Sequence, residues 1–379
     1  MRQVEGNKLT LLRNGEQYFP ALVAAIDAAR LEVFLETYIF AGDETGSLIA
    51  DALARAAARG VAVRLLVDGF GSLDFPRRFE SMLLRSGAEL HHYRPVRFST
   101  LRRDRLRRMH RKLACIDGRV AFVGGINIVD DYENGLPDIA RLDYAVRIEG
   151  PLTALVREAS DRLWRKVVRR RGRSLQPRDP PGPFDAGCRA ALVVRDSLRH
   201  RRDIELAYLA LIRDAREEIV IASAYFLPGR RFRRELVRAA QRGVRVVLLL
   251  QGRVEYLLLH LASRAMYGQL LDAGVEIWEY QRSNLHAKAA VFDRLHASVG
   301  SSNLDPYSLL MALEANVFVD DARFAGELRA SLEEAIVAGA VAIPQQHWRR
   351  RPPLQRLSFW FAHAVTRLLL AFAGYERYH

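Results

Sequence analysis

Cysteine is nearly absent from this chain of 379 residues, which contains only Cys115 and Cys188. Two cysteines imply no disulfide framework, which is compatible with a reducing compartment. Long uncharged apolar runs are also missing, since no stretch of about 18 residues has the composition of a membrane-spanning helix. The segment from Met1 to Gly6 lacks the apolar core of a signal peptide. These absences argue against a disulfide-stabilised secreted domain and against a protein that spans the bilayer.

Lysine is also scarce in this sequence. Lys and Arg together number 58, yet lysine occurs only at positions 8, 112, 166 and 288. Asp and Glu number 44, so the net charge is +14. Such a charge favours a polyanionic partner, either nucleic acid or an anionic membrane surface, without choosing between them. Half of the residues are hydrophobic, which indicates a packed globular protein, and the length suits two domains.

Two of the four lysines belong to a repeated motif, H-x-K-x4-D-x6-G-[GS]-x-N. Its polar members are His110, Lys112, Asp117 and Asn127 in the first copy, and His286, Lys288, Asp293, Ser301 and Asn303 in the second. Two copies with every spacing preserved indicate a duplication. An imidazole can attack phosphorus or donate a proton, and ammonium and amide groups bind phosphate oxygens. The motif therefore predicts phosphodiester chemistry, with lysine as a compact charge where arginine is not interchangeable.

The duplication extends beyond the motif. The order of helices and strands over residues 18–93 recurs over residues 204–280, and the strands are rich in Val, Ile and Leu. Strands that alternate with helices predict an α/β fold with mixed β-sheets flanked by helices. We expect a first repeat at 5–169, a linker rich in Pro, Gly and charge at 170–189, and a second repeat at 190–340. The active site should lie between the halves.

Each motif predicts a hairpin-like pair of strands, with His and Lys on one face because side chains at i and i+2 share a face. Asp117 and Asp293 fall at the predicted turns. They are suited equally to holding a turn and to contacting substrate, and we include them among the catalytic candidates. Asn127, Asn303 and Ser301 are candidates for binding phosphate. No spacing matches a zinc or calcium site, so we expect no metal and no other cofactor.

Two further segments bear on the partner. Residues 341–379 form a basic and apolar C-terminal segment, in which an apolar, aromatic stretch follows Arg351-Pro352-Pro353. Such a stretch either closes the core as a packed helix or lies at a membrane interface, and its place after the second repeat favours the interface. The first repeat also has 11 extra residues before its motif, within the basic stretch Arg94 to Arg108. We expect this loop to lie over the site entrance.

The paired motif resembles the HKD motif of the phospholipase D superfamily, over roughly residues 5 to 340. The chain is more closely similar to bacterial cardiolipin synthases of the short B type. The resemblance rests on both motifs and on Gly150-Pro151, Ala224-Tyr-Phe226 and Val299-Gly-Ser-Ser-Asn-Leu-Asp-Pro306. It implies a pseudo-two-fold duplicated phospholipase D fold and transfer of a phosphatidyl group from one phosphatidylglycerol to another, giving cardiolipin and glycerol.

The resemblance also implies roles for individual residues. His110 would form a phosphatidyl-histidine, while His286 would protonate the leaving glycerol and then deprotonate the acceptor. A carboxylate downstream of each histidine would orient its ring, which suggests Asp143 for His110 and Glu314 for His286.

The expected partners are anionic phospholipids and the membrane surface, with phosphatidylethanolamine left open as a second donor. We expect a peripheral protein on the cytoplasmic side of the cell membrane, with no nucleic acid and no obligatory protein partner. Two alternatives remain: a hydrolase (phospholipase or nuclease) that uses the same site, and a non-catalytic binding module. The lack of interleaved aromatic residues near either motif argues against a nuclease, and two intact motifs argue against the module.

Overall fold

The computed structural model describes residues 1–96, 107–132, 140–168, 181–196, 200–305 and 312–372. Most of the predicted linker, at 170–180, and most of the basic loop, at 97–106, lie outside these residues, as does the end of the C-terminal segment. The last two linker residues, Cys188 and Arg189, begin a strand.

The first repeat contains seven strands and four helices among its described residues. They are β1 (Val4–Arg13), α1 (Asn14–Asp27), β2 (Glu32–Thr37), α2 (Glu44–Ala58), β3 (Ala62–Asp68), α3 (Arg77–Arg85), β4 (Glu89–Tyr93), β5 (Lys112–Ile116), β6 (Val120–Gly124), β7 (Tyr144–Glu149) and α4 (Leu152–Val168).

The second repeat follows the same plan. Its elements are β8 (Cys188–Arg195), α5 (Asp203–Asp214), β9 (Glu218–Ser223), α6 (Arg230–Gln241), β10 (Arg245–Gln251), α7 (Leu257–Arg264), α8 (Tyr267–Asp272), β11 (Glu276–Tyr280), β12 (Lys288–Phe292), β13 (His296–Gly300), β14 (Glu314–Asp320) and α9 (Ala322–Gly339). After it come β15 (Ala340–Ala342), α10 (Gln345–Arg349) and α11 (Pro353–Phe372).

All described strands join one 15-stranded mixed sheet, in the order β15-β11-β10-β9-β12-β13-β14-β8-β1-β7-β6-β5-β2-β3-β4. Apart from β15, equivalent strands of the two repeats follow each other in the same order from either edge of the sheet towards its centre. The repeats meet at the centre, where β1 pairs antiparallel with β8. Within each repeat three strands are parallel, β2-β3-β4 and β9-β10-β11. The predicted α/β fold with a pseudo-two-fold duplication is confirmed.

The core explains why the two halves form one body. A central hydrophobic cluster contains residues from both repeats, such as Leu11 and Val146 from the first and Val291 and Val317 from the second. The other face of each half has its own cluster beneath the helices. Burial of this much apolar surface is the dominant stabilising contribution, at about 25 cal/mol per Å². No helix within the described ranges is long and apolar enough to span a membrane.

Candidate active site

The motifs form the predicted hairpins, β5–β6 and β12–β13, both antiparallel. Asp117 and Asp293 lie at their turns with positive φ, 52° and 50°. The carboxylate of Asp117 accepts hydrogen bonds from the backbone N–H groups of residues 30–32, at 2.8–2.9 Å. That of Asp293 does the same for residues 216–218, at 2.8–3.0 Å.

These contacts decide between the two roles considered for the aspartates. Asp117 and Asp293 follow the far end of the strands that begin at Lys112 and Lys288. At about 3.3 Å per residue, a five-residue strand separates each aspartate from its histidine by well over 10 Å. Their assignment as catalytic residues is therefore wrong. They anchor the hairpin turn to the start of the neighbouring strand, β2 or β9.

Each histidine is held by backbone from the other repeat. The N–H of His110 donates to the carbonyl oxygen of Leu313 at 2.9 Å, and that of His286 donates to Leu142 at 2.9 Å. The next residue along the chain in each case is an acidic one, Glu314 after Leu313 and Asp143 after Leu142. These two backbone hydrogen bonds between the repeats thus place each carboxylate beside the histidine of the opposite repeat.

Each histidine is consequently paired with a carboxylate of the other repeat, an arrangement called crossed below. Nδ1 of His110 lies 3.0 Å from Glu314 Oε1, and Nδ1 of His286 lies 2.6 Å from Asp143 Oδ2. The expectation that each carboxylate serves the histidine of its own repeat is wrong, although both residues occupy the expected kind of position. A carboxylate at Nδ1 favours the tautomer with the proton there, which leaves Nε2 available for chemistry.

The two lysines are buried beside the histidines. Only 3% of Lys112 and 2% of Lys288 is exposed, and each Nζ donates to the carbonyl oxygen of the histidine two residues earlier. Burial lowers the pKa of Lys112 to about 7 and that of Lys288 to about 8, while nearby carboxylates oppose the shift. Six titratable groups from the two repeats, namely two histidines, two lysines and two carboxylates, therefore share one poorly hydrated site.

The histidines are shifted in the same direction. Burial lowers the pKa of His110, with Glu314 opposing the shift and Lys112 adding to it. Burial and the two lysine cations hold the pKa of His286 well below its usual range. Burial also raises the pKa of Asp143 to about 7, against the effect of the Lys288 cation. A neutral imidazole at neutral pH is the form that a nucleophile or a general base requires.

Ser301 and its counterpart Gly125 explain a difference between the motif copies. The Ser301 hydroxyl donates to Glu314 and accepts from the N–H of Ala315 at 3.1 Å. A Cβ added at Gly125 would lie only 2.3 Å from Asp143 Oδ1. The shorter Asp143 thus occupies the space that a side chain at 125 would need, whereas Ser301 supports the longer Glu314. Ser301 positions this carboxylate, so the prediction that it binds phosphate is not supported.

The two asparagines are buried at equivalent positions. Oδ1 of Asn127 accepts a hydrogen bond from the N–H of Ile39 at 3.1 Å, which fixes the orientation of the amide. Oδ1 of Asn303 is buried without a hydrogen-bond partner among the described residues. A buried polar atom without a partner is uncommon in a folded protein. Their role in phosphate binding stays a prediction.

Three contributors lie far from the motifs and were not predicted. The Tyr38 ring packs edge-on against His110 with ring centres 5.0 Å apart, and Lys112 Nζ lies 5.4 Å from the same ring centre. At the ends of β3 and β10, Asp68 and Gln251 accept the N–H of the residue before each histidine, at 2.8 and 3.2 Å. A polar residue followed by glycine at the end of an apolar strand, Asp68-Gly69 or Gln251-Gly252, was the available sequence signal.

Comparison with known proteins shows the family of this chain. Residues 22–159 and 208–336 match the family described as "Cardiolipin synthase, PLD-like domain". The chain is 40% identical to cardiolipin synthase B of Escherichia coli (strain K12) over 360 residues, which cover 91% of this chain and 85% of that protein. It is 32% identical to cardiolipin synthase A of Pseudomonas aeruginosa (strain LESB58) over 366 residues, or 96% and 74% of the two chains.

Solved structures show the same fold at low sequence identity. The crystal structure of phosphatidylserine synthase from Haemophilus influenzae Rd KW20 aligns with a TM-score of 0.68 and 13% identity, over 96% of this chain and 94% of that chain. Polyphosphate kinase from Porphyromonas gingivalis aligns with a TM-score of 0.60 and 18% identity, over 89% and 49%. Taken with the duplicated motif and the family match, the chain belongs to the phospholipase D superfamily of enzymes, in its cardiolipin synthase family, and is of the B type.

Proposed function

We propose that this enzyme is a phosphatidyltransferase that makes cardiolipin and glycerol from two molecules of phosphatidylglycerol. The observation that carries the proposal is the pair of crossed histidine–carboxylate contacts, His110–Glu314 and His286–Asp143. Two imidazoles oriented from opposite repeats can act on opposite sides of one phosphorus atom, one as nucleophile and the other as general acid. The names of the relatives, cardiolipin synthases B and A, support the same substrate class.

In the first step, Nε2 of His110 attacks the phosphorus of phosphatidylglycerol. The bond to the glycerol oxygen breaks, and His286 gives that oxygen its proton, so that glycerol leaves and a phosphatidyl-histidine remains. The first step requires His286 to be protonated, although burial and the lysine cations lower its pKa. The negative phosphate of the substrate opposes those cations and therefore favours the protonated ring.

In the second step, His286 is neutral and removes the proton from a hydroxyl of a second phosphatidylglycerol. The resulting oxygen attacks the phosphatidyl-histidine, which gives cardiolipin and restores His110. Lys112 and Lys288, buried beside the histidines, stabilise the charge that develops on the phosphate oxygens. Asn127 and Asn303 complete this set as amide donors.

The C-terminal helix supports a peripheral position on the membrane. Helix α11 packs Phe359 and Ala362 into the core of the second repeat, as a closing helix would. Its other side exposes an apolar stripe, whose large members are Leu354, Leu357, Phe361 and Leu368, between 57% and 82% exposed. Their spacing of three, four and seven residues places them on one helix face. We infer that the stripe enters the interface of the cytoplasmic leaflet, where the positively charged protein meets anionic headgroups.

The experiment that tests the function uses purified protein and phosphatidylglycerol vesicles in the presence of a chelator. We expect cardiolipin and free glycerol in equal amounts. Phosphatidic acid as the main product would show that the protein is a hydrolase and not a transferase. Replacement of phosphatidylglycerol by phosphatidylethanolamine, with added glycerol as acceptor, tests whether phosphatidylethanolamine can also donate the phosphatidyl group.

A further inference from the structure

The two sides of the site differ at one pair of equivalent positions. Thr37 ends β2 and its hydroxyl donates to the carbonyl oxygen two residues on, at 2.8 Å; Ser223 ends β9 and does the same at 2.9 Å. The residues that follow, Tyr38 and Ala224, are therefore structural counterparts. Tyr38 covers one side of His110. Ala224, bonded through its N–H to the carbonyl oxygen of Ala287, has only a methyl group at the corresponding position near His286.

A cleft lies next to Ala224. It is lined in part by Ala224, Tyr225, Gln251, Arg253, Glu255 and Tyr256, which come from the end of β9 and the loop after β10. The Tyr225 hydroxyl donates to Glu255 Oε2 at 2.6 Å. Gln251 holds the backbone of Leu285, next to the histidine, and Arg253 donates to the carbonyl oxygens of residues 281 and 282. The cleft is thus rigidly joined to the segment that carries His286.

The corresponding loops of the two repeats share an apolar character. The loop after β3 exposes Phe70 and Leu73, at 57% and 56%, and the loop after β10 exposes Val254 and Leu257, at 56% and 62%. In the second loop, the carboxylate of Glu255 accepts a hydrogen bond from the Tyr225 hydroxyl and lines the cleft. A carboxylate can only accept hydrogen bonds and repels phosphate, so this pair suits hydroxyl groups.

From the cleft next to Ala224 and its Glu255–Tyr225 pair, we infer that the cleft is a subsite for a polyol, the glycerol headgroup of the leaving group and of the acceptor, with Glu255 and Tyr225 as its hydroxyl-binding residues. The inference rests on the proposed function. It also gives a structural reason for His286 to be the acid and base, because the hydroxyl that gains or loses a proton is bound on its side. Glu255 and Tyr225 are specificity residues and do not take part in bond making.

The reverse reaction provides a soluble probe for this subsite. Wild-type enzyme, cardiolipin vesicles and glycerol should give two phosphatidylglycerols per cardiolipin, whereas ethanol as acceptor should give phosphatidylethanol and one phosphatidylglycerol. For Glu255→Gln and Tyr225→Phe, we expect the ratio of kcat/KM for glycerol to that for ethanol to fall about tenfold, chiefly through KM, because a hydrogen bond to a hydroxyl is lost. The matched control is Glu327→Gln, an exposed glutamate of α9, which should keep the wild-type ratio.

The possible outcomes separate the subsite from the activity. An unchanged ratio in both variants, or an equal loss with both alcohols, would overturn the subsite while leaving the transferase in place. A wild-type enzyme that transfers to neither alcohol would overturn both proposals. A partial return of the glycerol preference in Glu255→Asp would support the subsite further, since the carboxylate is kept and only its reach is changed.

Discussion

The carboxylate of Asp143 lies 2.6 Å from Nδ1 of His286, although 143 residues and the boundary between the repeats separate them along the chain. Glu314 stands in the same relation to His110, across 204 residues. Neither repeat alone therefore contains an oriented histidine. The site exists only where the two halves meet, which explains why the motif occurs twice in one chain.

The first prediction concerns the histidines themselves. His110→Ala and His286→Ala should each reduce cardiolipin formation by at least about a thousandfold, because a nucleophile or its acid–base partner is lost. The control is His200→Ala, since His200 is exposed and contacts Asp203 on the surface. Near-normal turnover in either active-site variant would contradict a mechanism with two histidines.

Covalent labelling separates the two roles. With phosphatidylglycerol radiolabelled in its phosphate, His286→Asn protein quenched in alkaline detergent should carry label on His110, because the second step needs a base and a histidine–phosphorus bond survives alkali but not acid. His110→Asn protein should carry none. The opposite distribution of label would mean that His286 is the nucleophile and His110 the general acid.

The crossed carboxylates give a prediction opposite to the one that follows from pairing each carboxylate with the histidine of its own repeat. Asp143→Asn should reproduce the behaviour of His286 variants, and Glu314→Gln that of His110 variants, with losses of roughly 10- to 100-fold. Single-turnover experiments measure this as slow decay of the labelled intermediate in the first variant and slow formation in the second. If each carboxylate variant resembled its own repeat's histidine instead, the crossed arrangement would be wrong.

Gly125 should tolerate no side chain. In Gly125→Ser the new Cβ would meet the Asp143 carboxylate at 2.3 Å, so we expect displaced Asp143, a large loss of activity and a loss of about 1–3 kcal/mol in the free energy of unfolding. Gly326→Ser is the matched control, since a Cβ at Gly326 has no neighbour within 4 Å. Activity assays and denaturant unfolding measure both effects; equal behaviour of the two variants would count against the steric argument.

The buried Lys112 should make stability depend on pH. Its pKa is about 7 in the folded protein, against 10.5 for an ordinary lysine, because burial penalises the cation. Between these pH values the unfolded chain binds more protons, so this lysine makes the free energy of unfolding rise with pH across that window. Lys112→Met should give a shallower rise between pH 7 and 10, measured by denaturant unfolding. The exposed Lys8→Met should keep the wild-type slope, and a parallel shift in both variants would refute this explanation.

The apolar stripe of α11 should govern binding to vesicles. A charge placed on it, in Leu357→Glu or Phe361→Glu, should weaken sedimentation with phosphatidylglycerol vesicles at least tenfold while hydrolysis of a soluble phosphodiester is retained. Gln355→Glu adds the same charge at an exposed position off the stripe. If all three variants bound vesicles equally, the stripe would have another role.

Much of this molecule could be predicted from local patterns. The helix and strand of residues 204–223, for example, follow from periodic apolar residues, and the β12–β13 hairpin follows from the spacing around Asp293. The partners of these elements could not be predicted in the same way. The pairing of β1 with β8 joins residues almost two hundred positions apart, and no local periodicity records which distant strand is adjacent.

The expectations that the structure contradicts fail for the same reason. Membership of the repeated motif favours a catalytic role for Asp117, yet a motif records which residues occur together and not which end of a strand they occupy. Ser301 carries a hydroxyl that could bind phosphate, but folding places Glu314 within reach of it first. Tyr38 and Asp68 lie outside the motif, and only the packing of β2 and β3 beside β5 brings them to the site.

The sequence by itself determined the duplication, the α/β character of each repeat and the chemistry of the histidines and lysines, since these depend on residue type and spacing along one strand. The tertiary structure decided which carboxylate orients which histidine, and it placed Tyr38 on one side of the site and an open cleft on the other. The carboxylate contacts join segments more than a hundred residues apart, and they are fixed by how the two repeats pack against each other, where burial and hydrogen bonding across the interface act together. The positions of Tyr38 and of the cleft are fixed by how strands and loops pack within one repeat.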